Sequence, residues 1–338
     1  EKLPLAQDDV QLDGHAIEVR VYAEDPDNDF LPQTGKLTYL RQPEANRHVR
    51  VDTGVVENDE VSPFYDPMIA KLIVWDESRD RAIARMLRAL DDYRIAGVTT
   101  NLSFLTSLTE HPAFKAAELD TNFINQHQHT LFAPANKENN QALVLAALYI
   151  LQQQKAPQTS CNSFSPWQFS HGWRMNETPT VEIALQHGEH KTLLKVQQLQ
   201  QHYVIDVEGQ QLCCTAELNG DELSAVLGDH RTKVRVSRYV DTFNGDTISV
   251  FIKHQRYDFI YQTEVTTEVE GADHAGSLTA PMNGTIVAVM AKAGSTVNAG
   301  DTLVIMEAMK METQITAPQA GRISQVVSTS SPLPPSRS

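Results

Sequence analysis

The chain of 338 residues carries 28 Lys+Arg against 43 Asp+Glu, a formal net charge of −15, with 41% hydrophobic residues and three cysteines. That length is too great for one small module and suits two or three packed domains. The negative balance argues against a nucleic-acid or anionic-membrane surface, where the attraction is chiefly electrostatic, and so few thiols exclude a disulfide scaffold.

Cys161, Cys213 and Cys214 form no CxxC pair, and are read as buried, inert side chains in a reducing compartment. No stretch reaches the roughly 18 apolar residues of a membrane span, and Glu1-Lys2-Leu3-Pro4 lacks the apolar core of a signal peptide. A soluble chain is expected. Its first residue is not Met and lies inside what reads as continuing sequence, so a fragment of a longer protein is expected too.

In chain order, Ile17, Val19 and Val21 alternate with polar residues, which predicts a half-buried strand with Glu18 and Arg20 side by side on its other face. An apolar run over 68–75 leads to Ser78, a helix N-cap, and to Ile83, Met86, Leu87 and Leu90 at helical spacing. A second helix is expected over 101–109, with Leu102, Leu105 and Leu108 on one stripe. The polar stretch 133–140, with Pro134 near its start, predicts a linker.

Residues 141–153 are apolar nearly all round, which fits a helix buried on most sides. Short β runs follow at Val181/Ile183/Leu185, 203–207, 233–237, 247–252 and 256–261, separated by turn signals such as Glu208-Gly209 and Asn244-Gly245. One helix enclosed by antiparallel strands is the simplest assembly.

An internal repeat then appears: Ala280-Pro281-Met282-Asn283-Gly284-Thr285-Ile286 returns as Ala317-Pro318-Gln319-Ala320-Gly321-Arg322-Ile323, implying two similar stacked β units. Between them Met309-Lys310-Met311 has strand character on both sides, so Lys310 is expected at a hairpin tip. Two methionines flanking a solvated lysine on a turn are an odd use of apolar surface. After Val327 the chain turns Ser/Pro-rich, so a disordered tail is expected over 328–338, with the second repeat incomplete.

Glu307-Ala308-Met309-Lys310-Met311 closely resembles the acceptor motif of biotin carboxyl carrier domains, in which a biotin protein ligase joins biotin to the lysine. Lipoyl domains share the two-fold β architecture but typically carry Asp before their lysine. The stretches 14–26, 30–36, 65–72 and 97–101 resemble the C-terminal subdomain of biotin carboxylases, a likeness covering roughly residues 1–128. It implies that Arg20 is catalytic, facing bicarbonate and biotin; the plainer alternative is a structural salt bridge with Glu18. The ATP-grasp parts of that family would lie upstream, and no GxxxxGK[ST] or GxGxxG replaces them, so this chain alone is expected not to hydrolyse ATP.

The whole order resembles the biotin-bearing α subunits of acyl-CoA carboxylases, nearest the 3-methylcrotonyl-CoA type, with propionyl-CoA and geranyl-CoA types sharing much of it. The resemblance implies a multidomain α+β chain: a biotin carboxylase C-terminal subdomain (1–128), a linker (129–139), a helix-plus-antiparallel-β-barrel docking domain (140–265), a linker (266–277) and an all-β biotinyl domain (278–327). Implied cofactors are biotin on Lys310, flanked by Met309 and Met311, and ATP, Mg²⁺ and bicarbonate in the full protein. Implied partners are a carboxyltransferase β subunit, through which the acyl-CoA is met, and the biotin protein ligase. A hetero-oligomer in the cytoplasm, or less favoured the mitochondrial matrix, follows. The competing reading is a non-catalytic interaction module with an unusable carrier. His127 and His129 are read as a solvated segment, Asp91-Asp92 as a helix-end charge pair, and Trp167 and Trp173 as core.

Overall fold

The computed structural model describes residues 6–132, 140–154, 180–188, 190–199, 202–207, 209–241, 245–262, 285–308 and 311–324. The first unit is built on a three-stranded antiparallel sheet in which Met68–Asp76 lies between His15–Tyr22 and Val49–Thr53. The expected alternation is realised: Ile17, Val19 and Val21 are buried, as are Ala70, Leu72 and Val74 opposite them. This apolar face packs on the helix Arg79–Asp92, whose buried side is Ala82, Ile83, Met86, Ala89 and Leu90. Ser78 caps that helix by accepting from Arg81 N at 3.4 Å, and Arg85 ties it to the sheet through the nearly buried Asp76, Nε to Oδ2 2.8 Å.

The next helix runs Leu102–Glu110; of the expected leucine stripe Leu105 is buried and Leu102 and Leu108 pack, partly buried, against the same core, and Phe104, Thr106 and Thr109 are buried as well. Leu102 and Leu108 are only partly buried because the aromatic cluster of Phe30, Phe104 and Phe132 fills the space on this side. The spacing of His127 and His129 does not place them on one strand face. They lie in short helical turns, where His129 is exposed and the half-buried His127 ring packs 4.3 Å from His111 and 4.7 Å from Phe123.

The second unit is a closed antiparallel barrel of eight strands: Thr180–His187, His190–Gln198, Tyr203–Val207, Gln210–Asn219, Glu222–Leu227, His230–Asp241, Gly245–Ile252 and Gln255–Gln262, the last pairing with the first. The helix Asn140–Gln154 is the other half of its core, with every residue from 142 to 151 buried. Alternate barrel residues, among them Ile183, Leu194, Ile205, Leu223, Val236 and Val250, point at it and are all but inaccessible. At the helix's polar end Gln152 Nε2 donates to Ala216 O at 2.7 Å, so the amide is satisfied where the barrel covers it. Of the cysteines, Cys214 is buried, but Cys213 is exposed, contrary to expectation, because adjacent residues on a strand face opposite sides. Cys161, Trp167, Trp173 and the tail lie outside the described residues.

The two units touch through a small polar and aromatic joint. Tyr39 stacks on Phe251 with ring centroids 5.5 Å apart, and its hydroxyl donates to Asp221 at 2.7 Å. Arg41 reaches the same carboxylate at 3.4 Å. In the other direction Arg256 donates to the carbonyls of Ile95 and Val98 at 3.0 and 2.7 Å. Burial, then the bond to Asp221, pushes the Tyr39 hydroxyl up to about 12. Burial alone would raise the Asp221 carboxyl, but the bonds from Tyr39, Arg235 and Arg41 outweigh it and hold that group below its ordinary value.

The third unit is a small all-β body in which Thr302–Ala308 pairs with Thr285–Val289 and with Met311–Thr316, while Thr296–Val297 pairs with Gly321–Arg322. Leu303, Met306 and Ala317 are its buried apolar residues among those described.

Two consequences are measurable. Leu148→Ala, in the wholly buried helix, should lower barrel stability by about 2–5 kcal/mol in urea denaturation. A depressed Asp221 pKa contributes stability that is complete above the ordinary carboxylate pKa of about 4 and is lost as pH falls through the folded value. Asp221→Ala should therefore destabilise by about 1–3 kcal/mol at neutral pH, and the loss should shrink in denaturation curves taken in acid.

Candidate functional site

The stretches that begin at Gly14, Tyr65 and Gly97 are far apart in sequence and meet at the end of one strand. Met68–Asp76 pairs along His15–Tyr22, and Ala23 N donates to Pro67 O at 2.9 Å. Among the described residues the other edge of His15–Tyr22 has no partner strand. There Asn101 takes the place of one: its Oδ1 accepts from Tyr22 N at 2.9 Å and its Nδ2 donates to Arg20 O at 3.1 Å. Asn101 N also donates to Tyr22 O at 3.2 Å. Asn101 is only 5% exposed, so these bonds are shielded from water.

Glycine is required at the ends of two of these stretches. A Cβ on Gly14, at φ +68°, would stand 2.5 Å from Asp76 O, and one on Gly97, at φ +99°, would stand 2.0 Å from Lys36 O. Both allow close backbone approaches that bring the strands to the same place.

Arg20 projects from this clamped backbone onto the exposed face of the sheet. Registration puts Lys71 across from Arg20, and Asp52 across from Lys71; the neighbouring row is Glu18, Ile73 and Arg50. Arg20 Nε lies 3.4 Å from Glu18 Oε1, and Arg50 lies 2.7 Å from Asp52. The face thus holds three cations against two carboxylates. The Tyr22 side chain first, and Glu18 second, raise the Arg20 pKa, so its positive charge is permanent. Its side chain is 57% exposed. Ion pairs this open contribute little stability, so the Glu18 pair does not account for Arg20, whose guanidinium fork can take a planar or anionic oxygen ligand. Beyond the strand, burial and then Asp66 raise the Glu24 carboxyl.

The lysine segment is on the third unit. Glu307 pairs with Glu312, and Ala308 with Met311, so a connection of two residues, Met309 and Lys310, joins the two strands. Met309 and Lys310 lie outside the described residues, and of Met311 the backbone alone is described. The second copy of the repeat is ordered by Ala317, which is 4% exposed and donates from its N to Asp301 O at 2.9 Å. Most of the first copy, 280–284, lies outside the described residues. Asn101 stands out to sequence reading as a helix start and as the last residue of the 97–101 stretch. Its partners are 79 and 81 residues away, and no local pattern signals them.

Residues 18–126 match the family model of the biotin carboxylase C-terminal domain, 139–259 that of the methylcrotonyl-CoA carboxylase alpha-subunit BT domain, and 276–331 that of the biotin-requiring enzyme domain. The chain is 34% identical over 334 residues to the mitochondrial methylcrotonoyl-CoA carboxylase subunit alpha of Dictyostelium discoideum, spanning 96% of this chain and 48% of that one. It is 36% identical over 334 residues to the Mus musculus subunit of the same name, spanning 96% and 46%. Among solved structures, the biotin carboxylase subunit of pyruvate carboxylase is 36% identical with a TM-score of 0.38, over 40% of this chain and 30% of that one. The chain spans about half the length of the curated relatives it matches.

Asn101→Ala should leave Tyr22 N–H and Arg20 C=O without partners. Urea denaturation should show a loss of about 1–3 kcal/mol, against almost none for the exposed Ser103→Ala.

Proposed function

We propose that this chain, which matches the domain models of biotin-dependent carboxylases and is similar over most of its length to methylcrotonoyl-CoA carboxylase α subunits, is the biotin-carrying part of an ATP-dependent carboxylase of that kind. Its units are a biotin carboxylase C-terminal subdomain at 1–128, a docking domain at 140–265 and a biotinyl domain at 278–327, joined by linkers at 129–139 and 266–277. The observation that carries the reading is the hairpin register, which closes on Met309 and Lys310 with one residue pair, Ala308 and Met311, directly below them. A two-residue tip suits a lysine that a ligase must reach and that must then visit two sites, because the strands below hold its direction.

Biotin, amide-linked to Lys310 Nζ, supplies a ureido nitrogen that accepts and surrenders a carboxyl group. Lys310 gives the amine, and Met309 and Met311 are its neighbours in the motif. Arg20 holds bicarbonate and stabilises negative charge on the ureido oxygen, with the strand backbone at Arg20 and Tyr22 fixed by Asn101. The barrel docks a carboxyltransferase β subunit, which receives the acyl-CoA, 3-methylcrotonyl-CoA in first place. ATP and bicarbonate are consumed by the whole protein, with Mg²⁺ as the metal that accompanies ATP. The few cysteines suit a reducing compartment, the bacterial cytoplasm in preference to the mitochondrial matrix.

The test is intact-protein mass spectrometry after co-expression with a biotin protein ligase and excess biotin. One biotinyl adduct is expected, absent in Lys310→Arg. A folded chain with no adduct, or an adduct surviving in Lys310→Arg, overturns the assignment.

A further inference from the structure

The helices Arg79–Asp92 and Leu102–Glu110 both end beside the barrel, and neither has a basic residue in its last turn. They end on carboxylates instead, Asp91 and Asp92 on the first and Glu110 on the second. The C-terminal end of a helix carries partial negative charge, so a cation is favoured there and a carboxylate is not.

The group that meets them comes from the barrel. Gly245–Ile252 and Gln255–Gln262 are joined by a two-residue turn, in which Lys253 takes the left-handed region at φ +52° and His254 follows. A residue with a side chain adopts that conformation at a cost, and here the turn carries the His254 ring to both helix ends. Its Nδ1 lies 3.6 Å from Asp91 Oδ1, and its Nε2 lies 3.9 Å from Glu110 Oε1.

These separations are longer than hydrogen bonds, and His254 Nδ1 and Asp91 Oδ1 are buried atoms without a hydrogen-bond partner among the described residues. The chemistry of a neutral imidazole accounts for the mismatch. It has one donor and one acceptor nitrogen, whereas ionised carboxylates only accept, so one nitrogen always sets a lone pair against a lone pair. A protonated ring donates at both nitrogens and suits both carboxylates. Closure by roughly 1 Å brings each into bonding range. The turn has room for it, since Lys253 and His254 border two cavities, of about 650 and 410 Å³. The ring is 30% exposed, so protons reach it from solvent.

The other charged or titratable side chains bordering those cavities are Asp27, Arg94, His187, His190, Lys253 and Arg256, with the phenols of Tyr93 and Tyr257. Arg256 is paired with Asp258 at 3.0 Å. Among the described residues the ionic contacts of His254 are to Asp91 and Glu110 alone.

We propose that His254 is a proton-operated latch between the barrel and the first unit: once protonated, its ring bridges Asp91 and Glu110 and fastens the barrel to both helices, and loss of the proton loosens the joint. The latch works in the opposite sense to the Asp221 contact, which acid weakens. Asp221 is held below the ordinary carboxylate value and stays charged between pH 8 and pH 6, so a tightening over that window reports a histidine.

The experiment is hydrogen exchange read by mass spectrometry on the full chain at pH 8 and pH 6, with rates corrected for the intrinsic pH dependence of amide exchange. Protection over 88–96 and 250–257 should rise about fivefold from pH 8 to pH 6, as two charge-assisted bonds require. The rise should vanish in His254→Gln, shrink in Asp91→Asn and in Glu110→Gln, and persist in His190→Gln, whose ring borders the larger cavity. Protection over 203–207, inside the barrel, should be equal in every variant, which shows that each is folded. Protection over 88–96 and 250–257 that is indifferent to pH in the wild type, or a rise that survives in His254→Gln, overturns the proposal.

Discussion

A fifteen-residue helix that is apolar on every side cannot rest on a surface, and the architecture of the middle of this chain follows from that constraint. Residues 142–151 of the helix Asn140–Gln154 are all buried, which no single sheet could achieve. An open sheet would leave half the helix in water and two strand edges unpaired. Closing eight antiparallel strands removes both problems at once, and the alternate side chains of every strand become the wall of the core.

Closure also decides what the barrel shows outside. Asp221, Phe251 and Arg256 sit where adjacent hairpins present them to the first unit, and Tyr39, Arg41 and the carbonyls of Ile95 and Val98 receive them. The joint is polar and small, closer to a transient interface than to a shared core. Its incompleteness leaves a cavity beside it, walled by residues of both units.

The first unit solves a different problem. Its outermost strand carries Arg20, and an edge strand is normally the least constrained part of a sheet. Asn101 substitutes a side-chain amide for the missing neighbour, so the backbone below Arg20 is held on both edges while the guanidinium remains in water. A charged side chain on a fixed backbone at an open face suits contact with a mobile carried group. The two-residue hairpin tip on the third unit suits being that carrier.

Much of this was legible in the residues. Period-two alternation marked Ile17, Val19 and Val21 as one buried face, Ser78 marked a helix start, and all-round apolarity marked the buried helix, since these signals depend only on neighbours in sequence. The Lys310 segment and the repeat announced a carrier for the same reason. Other elements were silent. Gln210–Asn219 has one buried residue in ten, Cys214, and the half-exposed Leu193 breaks the pattern of His190–Gln198, so neither reads as a strand until the closed barrel demands it. The helix Leu102–Glu110 buried Phe104 beside its leucine stripe, a contact with Phe30 and Phe132 that its own spacing does not signal. Local sequence therefore determined those elements whose pattern neighbouring residues carry, and marked Lys310 as the candidate attachment point. Only the tertiary structure decided what Asn101 clamps and which carboxylate Tyr39 meets, because each depends on groups brought together from distant parts of the chain.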